Sequence, residues 1–129
     1  MNQAQKNKAF IIEYVAAVSG KVKTPAILDH YMTDQVLKEH IIFFDGAFPK
    51  YGFIADEIIA EGNQIVIRAR LVGKHEGDFS GIAPSYRSVD FPFVVGYTIE
   101  NEKIVSHWLV ADQMNLMEQL GIENAMSHS

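Results

Sequence analysis

The chain has 129 residues, 48% of them hydrophobic, a formal net charge of −5, a pI near 5.4 and no cysteine. That length accommodates one ordinary core rather than two. An acidic balance with no Lys/Arg cluster argues against a nucleic-acid surface, and the absence of thiols excludes disulfides, thiolate catalysis and thiolate metal sites. The polar start MNQAQKNKAF, followed by a short apolar stretch broken by Glu13, does not read as a secretory signal, and no window approaches the roughly 20 apolar residues of a membrane span. The expectation is one soluble, cytoplasmic domain over residues 1–129.

Phe10, Ile11, Tyr14, Val15 and Val18 recur at helical spacing ahead of Gly20, which predicts a helix over about 3–19. Thr24 before Pro25 reads as an N-cap with proline at the first helical position, opening a short helix through Tyr31. Thr33 is expected to cap a third helix, with a stripe of Leu37, Ile41, Phe44 and Phe48 ended by Pro49.

The period then changes to two. Strands are predicted over Ile54–Ala60, Ile65–His75 and Arg87–Ile99, with EGNQ as the first turn and a glycine-bearing loop over Glu76–Ser85. Ile65, Ile67, Ala69, Leu71, Gly73 and His75 share one face of the second strand; Val89, Phe91, Phe93, Val95, Tyr97 and Ile99 line the inner face of the third. A turn at Asn101 and Glu102 leads into a last strand and helix. Helices followed by a run of strands give an α+β domain with helices packed on one face of an antiparallel sheet. The last two strands carry apolar residues on both faces, from which an outer-face homodimer is expected.

The run KIVSHWLVADQMNLMEQLG, Lys103 to Gly121, delivers Asp112 from a strand onto the start of an amphipathic helix. In a regular strand Ile104, Ser106, Trp108, Val110 and Asp112 share one face and Val105, His107, Leu109 and Ala111 the other. Asp112 beside Trp108 suits a proton-transfer carboxylate in an apolar pocket; it equally suits an N-cap accepting from the amides of Met114 or Asn115. His75, ending an inward face beside a lid-like loop, reads either as a substrate-binding or assisting histidine or as a partly exposed strand-end residue with structural hydrogen bonds. Trp108, Tyr97 and Tyr14 read either as pocket walls, the tyrosines donating to an oxyanion, or as core. His107 is expected at the dimer surface unless a bulge intervenes. His30, His40, His75, His107 and His128 are scattered, with no zinc spacing, and no phosphate-binding or serine-hydrolase motif occurs.

The segments AFPKYGF (47–53), IIAEGNQIVIR (58–68), GKHEGDFSGIAPSYRSV (73–89) and KIVSHWLVADQMNLMEQLG (103–121) together resemble the SnoaL-like polyketide cyclases (predicted ester cyclases), a branch of the nuclear-transport-factor-2-like superfamily. That resemblance implies an NTF2-like cone, a curved antiparallel sheet wrapped around a pocket closed by N-terminal helices, usually as a dimer. It also implies an aspartate, matching Asp112 here, acting as acid and base in an intramolecular aldol closure without metal or cofactor. A pocket histidine of some members falls near Tyr97 or Thr98 here, a departure from the pattern. The expected activity is a cofactor-independent cyclase or isomerase acting on a hydrophobic carbonyl compound with Asp112 and His75; the alternative is a non-catalytic module binding an apolar ligand or a protein.

Overall fold

The structure, a computed structural model, describes residues 2–121. Its elements in chain order are α1 (Gln3–Val18), α2 (Pro25–Tyr31), α3 (Gln35–Ala47), β1 (Gly52–Glu61), β2 (Gln64–Lys74), β3 (Ser88–Glu100), β4 (Lys103–Ala111) and α4 (Gln113–Gln119). The strands form one antiparallel sheet in the order β1-β2-β3-β4, so every connection is local and the sheet curves without closing. Helix α1 lies against β1 and β2, α2 against β4, and α4 against β3. Among the described residues no helix is long and apolar enough to cross a membrane.

Local chemistry explains the helix ends. Asn2 and Gln5 form a reciprocal capping box on α1, and Thr24 accepts from the Ile27 amide ahead of Pro25 on α2, each satisfying amides that have no partner within the helix. Helix α3 starts one residue later than the sequence suggests. Its cap is Asp34, whose Oδ1 accepts from Leu37 N at 3.0 Å. Thr33 is instead recruited by the sheet, its amide donating to Ile104 O at 3.0 Å beside the Met32–Ile104 bridge.

The inward faces of β2 and β3 follow the period of two. Ile65, Ile67, Ala69 and Leu71 on β2, and Val89, Phe91, Val95, Tyr97 and Ile99 on β3, are all buried, packed with Ile11, Tyr14 and Val18 of α1 and Leu28 of α2. Two register shifts interrupt the ladders. Asp56 is the extra residue of β1, and Val105 is the extra residue of β4 because Thr98 pairs with Ser106 while Ile99 pairs with Ile104. A bulge bends its strand and exchanges the faces of everything beyond it. The second one remakes the site.

Candidate functional site

Beyond the Val105 bulge, His107 stands opposite Tyr97, Leu109 opposite Val95 and Ala111 opposite Phe93. These residues therefore face inward and line a cavity, whereas the regular-strand reading put them on the outer face. Trp108 moves the other way. It lies on the outer face, 48% exposed, with its indole so close over Gly96 that a Cβ there would sit 2.1 Å from the ring. Only glycine permits that approach. The expectation of Trp108 as a pocket wall is corrected accordingly, and so is that of His107 as a surface residue.

Asp112 is exposed and does not border the cavity, although its neighbours Ala111 and Gln113 do. Its Oδ1 accepts from Asn115 N at 3.0 Å as the N-cap of α4, the cap geometry of the two readings. His75, one residue past β2, is fully buried but likewise does not line the cavity. Its Nδ1 accepts from Ser85 N at 3.1 Å and lies 2.9 Å from Ser85 Oγ, pinning the following loop, and its ring packs against Phe48 at 5.5 Å between centroids. His128 lies outside the described residues. Among the described residues no three His, Asp or Glu side chains gather as metal ligands.

The cavity, about 70 Å³, lies between α3 and the inner face of the sheet. Its walls are almost wholly apolar, from Ile41 and Phe44 on α3 and Phe53, Phe91, Phe93 and Leu109 on the strands. Tyr14 and Tyr97 line it, with rings edge-on at 6.2 Å. Tyr51 borders it as well. Burial pushes all three phenols above their ordinary range; the Tyr97 contact partly offsets this for Tyr14, whereas the same contact adds to it for Tyr97. Such phenols stay protonated and remain hydrogen-bond donors.

The polar counterpart is a pair that composition and spacing did not reveal. His107 Nδ1 lies 2.7 Å from Asp34 Oδ2, with both side chains largely buried, 13% and 11% exposed. The fold brings them together through the Met32–Ile104 bridge, which fixes the start of α3 against β4. Burial acting alone would raise the Asp34 carboxyl. Hydrogen bonds from His107 and the Leu37 amide, with the nearby imidazole and the Val36 amide, outweigh it and hold the group below the usual carboxylate range. On a neutral ring an ionised Asp34 takes the Nδ1 proton as its hydrogen-bond donor, which leaves Nε2 with a lone pair. The pKa of His40, at the rim on α3, is lowered by burial and then by the neighbouring His107, which favours the neutral form of the His40 ring. An imidazole held by a carboxylate thus lines the same cavity as three buried phenols.

Four helices on a curved antiparallel sheet that does not close, with an aromatic cavity beneath it, make an NTF2-like α+β fold. The SnoaL-like polyketide cyclase family profile matches residues 23–120, and the chain belongs to that family. Among solved structures, a candidate SnoaL-like polyketide cyclase from Jannaschia sp. superimposes with a TM-score of 0.77 at 18% identity, covering 93% of this chain and 94% of that one. AclR from Streptomyces galilaeus, described as a candidate hydroxylase, gives 0.76 at 23% identity over 92% and 82% of the two chains. TsrD from Streptomyces laurentii gives 0.76 at 21% identity over 95% and 98%. A search of the curated proteins finds no match. At these identities the neighbours establish the fold.

Proposed function

We propose that this protein is a cofactor-independent enzyme of the cyclase or isomerase type, moving a proton at a carbon next to a carbonyl in a hydrophobic, polyketide-like substrate, with His107 as the base. The observation that carries this reading is the 2.7 Å His107–Asp34 contact at the wall of an otherwise apolar cavity. His107 Nε2 takes the proton; the Asp34 carboxylate holds the ring and stabilises the imidazolium that forms. Electron density moves to the carbonyl oxygen, where a buried phenol stabilises the enolate. Tyr14, whose phenol lines the cavity beside Tyr97, is the donor to that oxygen. The apolar walls exclude water and strengthen both interactions. Tyr14 and Tyr97 keep the substrate-binding role expected of them, and the acid–base role passes from Asp112 and His75 to His107 and Asp34.

Hydrogen–deuterium exchange at the α-carbon of hydrophobic aryl ketones and 1,3-diketones, followed by proton NMR in D2O, tests the reading. Exchange accelerated by the native protein and lost with His107→Gln is expected; exchange no faster than with heat-denatured protein across the panel would sink the enzyme reading and leave a ligand-binding module. We further infer a homodimer through the outer sheet face, supported by exposed Ile59, Val72, Trp108 and Val110.

A further inference from the structure

Lys23 is almost completely buried, a placement that charged side chains rarely take without partners. It precedes α2 in the segment KVKT, and its ammonium is fully engaged. Nζ donates to Lys21 O at 2.8 Å and Tyr51 O at 2.7 Å and lies 3.5 Å from Asp45 Oδ1. Two hydrogen bonds and an ion pair hold this ammonium in place, so it is not free to attack a carbonyl. It also lies 3.8 Å from the centroid of the Tyr51 ring. Tyr51 borders the cavity and Lys23 does not, so the ring stands between the ammonium and the cavity.

The carboxylate that holds Lys23 is itself fixed. Asp45 Oδ2 accepts from Lys23 N at 3.3 Å and Oδ1 from Lys50 N at 3.0 Å. The ion pair is therefore rigid, with its positive end toward the aromatic face. A cation over a phenol is attracted by the ring's negative face. It also favours the negative charge that the phenol oxygen gains when its proton is shared with an oxyanion. Asp45 opposes this: burial raises the Tyr51 phenol first, then the nearby Tyr14, then Asp45. The balance between Lys23 and Asp45 can be read by experiment.

We propose that Tyr51 is a second hydrogen-bond donor to the developing oxyanion, beside Tyr14, and that Lys23 is its positioning residue, holding the Tyr51 carbonyl and polarising its ring from behind. This rests on the proton-transfer reading of the cavity and adds two residues to it. The Tyr51 O–H points its proton at the same oxygen as Tyr14, while Lys23 never touches the substrate. Removing Lys23 should therefore weaken anion stabilisation only while the Tyr51 hydroxyl is present.

The probe is 4-nitrophenol, whose phenolate is distinguished from the phenol by its absorbance, titrated while bound to the full-length protein. Tyr51→Phe and Lys23→Met should each raise the pH at which bound probe ionises by about 0.5–1 unit, roughly a three- to tenfold loss of phenolate preference. Asp45→Asn should lower it. In the Tyr51→Phe background the Lys23→Met effect should largely vanish. Lys23→Met that lowers Tm and leaves the bound ionisation unmoved, or that shifts it equally with and without the Tyr51 hydroxyl, overturns the proposal. Should Lys23→Met fail to fold, Asp45→Asn with and without Tyr51→Phe decides by the same logic. Failure of the wild-type cavity to bind the probe overturns this proposal together with the proton-transfer reading. Shifts with the Tyr51 and Lys23 variants alongside a ketone exchange rate indifferent to His107→Gln would overturn the base assignment alone.

Discussion

Asp34 performs two tasks with two oxygens, and its substitutions separate them. Oδ1 caps α3 through the Leu37 amide and Oδ2 holds His107 Nδ1. Asp34→Ala removes a cap worth about 1 kcal/mol and a buried charge-assisted hydrogen bond worth about 1.5–3 kcal/mol. Together the loss is about 2.5–4 kcal/mol, a large part of the roughly 5–15 kcal/mol that holds a domain folded. Asp34→Asn keeps an oxygen for Leu37 and turns its amide N–H toward His107, so the stability loss should be only about 1 kcal/mol. The tautomer should invert: Nδ1 becomes the acceptor and the proton moves to Nε2, the nitrogen assigned as base. Urea denaturation measures the first effect and nitrogen-15 NMR of the imidazole the second. Proton transfer should fall by about 10²–10⁴-fold in the Asn variant, the usual worth of a positioned base. A wild-type His107 carrying its proton on Nε2, or an Asn variant with an unchanged imidazole pattern, would refute the reasoning. The same carboxylate gives a pH dependence. Its folded pKa lies below the ordinary carboxyl value of 3.8, so its contribution is present above that pH and is lost as pH falls through the folded value.

Tyr14, Tyr51 and Tyr97 have folded pKa values raised above 10.0; their contribution is full below about pH 10 and drains away as pH rises further, so tyrosinate absorbance should appear together with alkaline unfolding rather than before it. Asp112→Ala should lower stability by about 1 kcal/mol through its lost cap and Asp112→Asn should be nearly neutral, with ketone exchange unaffected by either; denaturation curves and the exchange assay check both. If the outer face forms the proposed homodimer, changing Val110, 64% exposed on that face, to Lys should give a monomeric mass in sedimentation; a wild-type monomer at micromolar concentration contradicts the proposal.

The sequence displays what is periodic. The inward residues of β2 and β3 are legible because alternation persists over their lengths, and the caps at Thr24 and Asp112 because a side chain and an amide three residues on act locally. The site depends on what is neither periodic nor local. One extra residue at Val105 exchanges the faces of His107 and Trp108, and no residue type there announces it. Asp34 and His107 are 73 residues apart, and Lys23 meets Tyr51 across 28. The visible signals were an aspartate beside Thr33 at a helix start and a histidine in the same strand as the suspected carboxylate. His75 makes the structural hydrogen bonds open to a strand-end histidine, but it is fully buried rather than partly exposed, because the loop it pins through Ser85 covers it.

The central claim is that His107, held by Asp34, is the base, and it is tested most directly by comparing His107→Gln with Asp112→Asn in the α-carbon exchange assay on a hydrophobic ketone that the wild type accepts. Loss of about 10²-fold or more with His107→Gln, and a rate within about twofold of wild type with Asp112→Asn, is the predicted result. A rate that survives His107→Gln and collapses with Asp112→Asn, both variants being folded, would contradict the account and return the chemistry to the end of β4.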